Sequence, residues 1–170
     1  TVWGVAGRAS VSIPDLAPLL QPVGHGLLQC RNEVRAMLPS LSAEQIWRRP
    51  GGAASVGYHA RHAVGSLDRL LTYARGEQLT AAQLRALANE GRADENERIA
   101  DELVAEFDAG IELALGQLRA TDESTLLEPR EVGRGRLPST VIGLLFHAAE
   151  HTQRHVGQLV TTVKIVLGAS

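Results

Sequence analysis

Three histidines, His147, His151 and His155, recur at intervals of four residues near the end of the chain. Residues four apart lie on one face of a helix, and the apolar spacing around them predicts a helix over 138–166. His151 and His155 fall in the middle of its apolar stripe and should point into the protein. His147 lies at the edge of that stripe, about 12 Å along the axis from His155. One ion could therefore take only two of these three side chains.

A second pair of histidines, His59 and His62, lies three residues apart in another predicted helix. Two imidazoles from one helix and a third from a facing helix form the three-histidine arrangement that leaves a coordination position open. Neutral imidazole suits Zn, Ni, Cu and Fe(II) about equally, so the residue types do not identify the metal. Periodicity places His59 nearer the apolar stripe than His62. Spacing alone thus leaves open a mononuclear metal site and a cluster of structural histidines.

The elements that must position these histidines are helical. Aromatic content is only 4%, and the segments between glycine and proline clusters show apolar spacing of three and four. Long helices are predicted at 22–38, 55–76, 97–119 and 138–166. Short helices are predicted after Ser42 and at 81–88, and residues 120–136 should form a long loop that could act as a lid. With no strand predicted, the pattern indicates an all-α four-helix bundle with short extra helices in its connections.

Length and composition narrow the function classes. The 170 residues fit a single domain, 1–170, with 1–13 as a loose N-terminal arm. A formal charge of −2 gives no basic field for nucleic acid or anionic lipid. The longest apolar runs are about six residues, too short to span a bilayer. One cysteine, Cys30, cannot form an internal disulfide, which favours a cytoplasmic location.

Two motifs resemble a known family. The segment His151-Thr-Gln-Arg-His155-Val-Gly-Gln158 is similar to the last-helix signature of the DinB/YfiT-like superfamily, in which Gly-Gln follows a His-x-x-x-His pair. The segment Ser55-Val-Gly-Tyr-His-Ala-Arg-His62, followed by Asp68-Arg69, resembles its second-helix motif, whose closing histidine is the third metal ligand. The resemblance covers nearly the whole chain from about Leu16.

The resemblance implies an up-down-down-up bundle that binds one divalent metal ion, with Zn, Ni, Fe and Mn all as candidates. It assigns the ligands to His62, His151 and His155. His59 and His147 then become core residues or neighbours of the ligands. This assignment of the third ligand differs from the one that burial periodicity favours, which is His59.

Family members with an assigned activity are similar in using low-molecular-weight thiols, as transferases or isomerases, and a few are hydrolases. The resemblance therefore implies a thiol-dependent transferase, or a hydrolase, that acts on a small electrophile through a metal-bound water or thiol. Tyr58 and Gln158 could orient ligand or substrate, and Arg134 and Arg136 in the long loop could meet an anionic thiol. Dimerisation is common among similar proteins, so a homodimer is one expectation.

A second function class stays open at this stage. A metal-stabilised stress or binding protein without turnover would use the same histidines to tie two helices together, with a closed fourth coordination position. A DNA-repair role finds no support in the net charge or in the aromatic content.

Overall fold

The computed structural model describes residues 12–168, which form four long helices, two shorter ones and a short β-hairpin. The helices are α1 Gln21–Met37, α2 Ala43–Trp47, α3 Val56–Ala74, α4 Ala81–Asn89, α5 Ile99–Ala120 and α6 Val141–Gly168. The strands are β1 Pro129–Val132 and β2 Leu137–Thr140. Single-turn 3-10 helices occur at Pro18–Leu20, Leu38–Ser40, Pro50–Gly52 and Glu123–Thr125. The mostly helical structure agrees with the predicted all-α class.

The packing of the long helices brings the two histidine motifs together. α1 packs against α5 and α6, and α3 packs against the same two helices. The predicted apolar stripe of α5 is buried along its whole length, from Ile99 through Phe107 to Leu118. The apolar stripe of α3 is buried too. Because α3 and α6 share an extensive contact, polar side chains on their facing surfaces can meet inside the protein.

Local sequence signals set several helix ends where they were predicted. The Ser42 hydroxyl accepts a hydrogen bond from the backbone N–H of Gln45, and the Gln45 side chain accepts one in return from the Ser42 N–H. Ser55 caps α3 by accepting from the N–H of Tyr58 at 3.2 Å. Gly76, just beyond the end of α3, has a φ of +77°, a conformation that glycine adopts most readily.

The prediction of a structure without strands is wrong, and the long loop predicted over 120–136 contains the first strand of a β-hairpin. Residues Pro129–Val132 pair antiparallel with Leu137–Thr140, so α6 begins at Val141 rather than at Pro138. Both strands are edge strands, which tolerate proline. Positive φ values at Gly133 and Arg136 form the turn between them.

The hairpin is fixed to one end of α3. Arg130 in β1 donates from Nε to the carbonyl oxygen of Ala74, the last residue of α3, at 2.8 Å. Val132 packs against the apolar core. These contacts attach the connection between α5 and α6 to the end of α3 and to the apolar core.

The first eleven residues, most of the predicted arm, lie outside the described residues. Ile13 belongs to the fold, because its side chain is buried and its N–H donates to Oε1 of Gln21 at 2.8 Å. Within residues 12–168, none of the helices combines the length and apolar character needed to cross a bilayer.

Candidate metal centre

Histidines from α3 and α6 form one group inside the helix contact. His62, His151 and His155 each offer a ligand atom, and these atoms all lie within 4.8 Å of one another. The Nε2 atoms of His62 and His151 are 3.1 Å apart. The ring centroid of His155 is 4.3 Å from that of His62 and 4.7 Å from that of His151. The structure therefore brings together the three residues that the family resemblance assigns as ligands.

His59 lies behind this group rather than within it. It is only 7% exposed, and its Nδ1 lies 3.1 Å from Nδ1 of His155. One of these two nitrogens must carry a hydrogen and the other must accept it, which leaves Nε2 of His155 for another partner. Periodicity correctly indicated that His59 is the more buried of the α3 pair, yet His62 is the one that meets both His151 and His155.

His147 lies at the surface. Its side chain is 53% exposed, and its Nδ1 is 3.4 Å from the carboxylate of Glu150. Its ring centroid lies 5.5 Å from that of His151. The residue is thus a neighbour of the group, and its interpretation as a core residue is wrong because the edge of the α6 stripe faces solvent there.

A buried carboxylate that sequence reasoning missed contacts the group from outside the long helices. Glu90 follows the last residue of α4 and is 5% exposed. Its Oε2 lies 2.7 Å from Nδ1 of His62, and its Oε1 accepts from Nη1 of Arg69 at 2.7 Å. Glu90 is 28 residues away from His62 in a polar stretch, so the sequence carries no signal that these side chains meet.

Burial and repulsion between neighbouring imidazoles lower the pKa values of the two α6 members of the group, His151 and His155. Burial, and then the nearby His62, lower the pKa of His151 below its ordinary value. The same causes, followed by His151 itself, lower the pKa of His155 to about 4. Burial acts to raise the pKa of Glu90, but hydrogen bonds from His62 and Arg69 outweigh it and lower that pKa. Near neutral pH His151 and His155 are therefore unprotonated, with the ionised carboxylate of Glu90 close by.

Tyr58 is the predicted helper that lies at the group. Its ring stacks on that of His62, with centroids 5.3 Å apart and planes 12° apart, and it meets His155 edge-on at 6.5 Å. Gln158, the other predicted helper, is exposed. In the part of the chain that the structure describes, no hydrogen bond joins the Gln158 side chain to the histidines.

Arg134 and Arg136, the predicted thiol-binding residues, are exposed at the turn of the hairpin. Arg136 forms an ion pair with Glu131. The hairpin is fixed to α3 at Ala74, about 18 Å along the helix axis from His62. Within residues 12–168, neither arginine has a hydrogen bond or ion pair with a histidine.

The donor set fits a divalent metal ion. Three imidazoles with ligand atoms this close are the ligands expected of a catalytic zinc-type site, in which a further position stays open. The lowered pKa values of His151 and His155 favour the unprotonated form that a metal requires. The His62 side chain remains 17% exposed, so the group is half-buried and small molecules could approach it. Imidazole ligands suit several divalent transition metals.

Comparison with known proteins agrees with these features. No curated protein matches the chain. The model of the DinB superfamily matches residues 27–159, a range that holds both histidine motifs. The match covers more than three quarters of the 170 residues, and the chain therefore belongs to the DinB superfamily.

Proposed function

We propose that this protein is a divalent-metal-dependent enzyme, a thiol-dependent transferase or a hydrolase, that acts on a small electrophile. The observation that carries the proposal is the group of three imidazoles, whose ligand atoms lie within 4.8 Å of one another. His62, His151 and His155 would hold the ion. When bound, a divalent ion lowers the pKa of a coordinated water or thiol and so supplies a nucleophile near neutral pH.

The residues around the group would shape the approach of the substrate. The Tyr58 ring covers one face of His62 and would form an apolar wall beside the ion. Among the described residues, its hydroxyl has no hydrogen-bond partner, so it could bind a polar group of the substrate. His59 would hold the ring of His155 through the contact between their Nδ1 atoms.

The proposal also includes the order of the helices, the oligomeric state and the residues that contact the thiol. The four long helices would follow the up-down-down-up order that the family resemblance implies. The protein would act as a homodimer, as similar proteins commonly do. Arg134 and Arg136 would contact an anionic thiol, in which case replacing both by alanine raises KM for the thiol and leaves kcat unchanged.

An activity screen tests the proposal directly. Untagged protein is loaded separately with Zn, Ni, Mn or Fe(II) and mixed with low-molecular-weight thiols and a chromogenic electrophile, and hydrolysis is followed without thiol. The proposal predicts turnover that His62→Ala abolishes and that His147→Ala retains, because only His62 belongs to the group. Metal binding without turnover in any combination would instead indicate a metal-stabilised protein with no catalytic role.

A further inference from the structure

Glu90 makes an unusual contact for a residue at the end of α4. Helix α4 itself buries none of its residues, and Gln83 holds it to α3 by donating to Asp68 at 2.7 Å and to Thr72 at 2.8 Å. At the other end of α4, only Glu90 is buried. Burying a carboxylate costs free energy unless its oxygens are paired, so the burial of Glu90 depends on the partners that α3 supplies.

Both oxygens of Glu90 are used, and α3 has room for them. Oε2 contacts Nδ1 of His62 and Oε1 accepts from Arg69, each at 2.7 Å. A Cβ atom at Gly65, which lies between these two residues on the helix, would come within 2.6 Å of Oε1 and 2.9 Å of Nη1 of Arg69. The absence of a side chain at this position is what admits the carboxylate.

The contact fixes which nitrogen of His62 carries the hydrogen. A carboxylate can only accept, so Nδ1 of His62 must donate to it. In the neutral ring, Nε2 then has the lone pair, and it is Nε2 that lies 3.1 Å from His151. This is the tautomer that a metal ion at the three-histidine group would need.

We propose that Glu90 is a positioning residue of the metal site, holding His62 in its metal-binding tautomer and orientation, with Arg69 holding Glu90 in turn. This inference rests on the proposed metal site. Carboxylates that orient a ligating histidine in this way typically contribute ten- to a hundred-fold to metal affinity. Glu90 also lines a cleft of about 780 Å³, together with Gly65, Arg61, Arg92 and Glu106. Its carboxylate therefore lies between that cleft and His62, which it contacts.

Two measurements on the whole protein test this role. Zn²⁺ affinity is measured by competition with a chromophoric chelator, and the tautomer of His62 in the metal-free protein is read from long-range ¹H–¹⁵N spectra, with His62→Gln identifying its signals. In Glu90→Gln, Arg69 and His62 compete for the single amide oxygen. We expect this variant to bind Zn²⁺ about ten- to a hundred-fold more weakly and to lose part of the Nδ1–H population.

Two further variants show whether an effect on Zn²⁺ binding is due to Glu90 itself. Glu106→Gln removes a carboxylate from the same cleft and should leave both readouts unchanged. Gly65→Ala displaces Glu90 without altering a polar group and should weaken Zn²⁺ binding as Glu90→Gln does. Its result decides the question if Glu90→Gln fails to fold.

The outcomes separate this inference from the proposed function. Wild-type affinity and an unchanged His62 tautomer in Glu90→Gln, or in Gly65→Ala where that variant decides, would overturn the role of Glu90. A wild-type protein that binds no metal would instead overturn the proposed metal site, and the inference with it.

Discussion

Zinc should raise the thermal unfolding midpoint of this protein, because the proposed ligands lie on two helices that separate on unfolding. His62 belongs to α3, whereas His151 and His155 belong to α6. The unfolded chain therefore lacks the assembled site. A ligand that binds only the folded state stabilises it by about 2.7 kcal/mol when its free concentration is about 100 times its Kd.

The size of the shift follows from the length of the chain. Unfolding entropy near 60 °C is about 2.1 cal/mol/K per residue. For 170 residues this amounts to about 0.36 kcal/mol/K. Dividing the stabilisation by this entropy gives an expected rise of about 8 °C.

Differential scanning calorimetry with and without Zn²⁺ measures this rise in the wild type and in two matched variants. His62→Ala removes a ligand and should show little or no rise. His147→Ala removes a histidine that is 53% exposed and outside the group, and it should show the full rise. An equal rise in His62→Ala, or its loss in His147→Ala, would mean that zinc binds somewhere other than the three-histidine group.

Three other predictions concern the metal-free protein. Its free energy of unfolding should fall as the pH drops from about 6.5 toward 4. Burial and the nearby His62 lower the pKa of His155 to about 4 in the folded protein. In this pH range His155 therefore takes up a proton in the unfolded chain but not in the folded one. Urea denaturation at both ends of this range should show a smaller fall for His155→Gln, and an equal fall would contradict the assignment. Burial raises the pKa of the Cys30 thiol to about 12, so a chromogenic disulfide reagent should react with it only in denaturant; fast reaction in the native state would disprove its burial. Gly57→Ala should lower the free energy of unfolding by about 1–3 kcal/mol, since a Cβ there would lie 2.6 Å from the Trp47 ring. Gly116→Ala in α5 has nothing within 4 Å of the added Cβ and should raise the free energy of unfolding by up to about 1 kcal/mol. Equal unfolding free energies in the two variants would contradict this packing.

The helices and two of the three proposed ligands could be predicted from local patterns. Apolar spacing and caps such as Ser55 depend on neighbouring residues, and α3 begins where that cap predicts. The placement of His151 and His155 toward the interior follows in the same way from the stripe on α6. The choice between His59 and His62 could not follow from burial, because the more buried histidine is not the one that lies with His151 and His155 in the group. A family motif was needed for that choice.

Features that depend on tertiary contacts could not be predicted. The hairpin strands are four residues each and contain prolines, so their sequence has no clear alternation; contacts of Arg130 and Val132 with the helices hold them. Glu90 resembles a solvated residue of a polar stretch. Its burial depends on the space at Gly65 and on hydrogen bonds from His62 and Arg69.

The metal content of the purified protein is the sharpest test of the three-histidine site. Plasma mass spectrometry compares untagged wild-type protein, purified without chelator, with the His151→Ala, His155→Ala double variant after exposure of both to Zn, Ni, Mn and Fe(II). We expect one divalent ion per chain in the wild type and its loss in the double variant. A wild-type protein without metal, or a double variant that retains the ion, would contradict the three-histidine site.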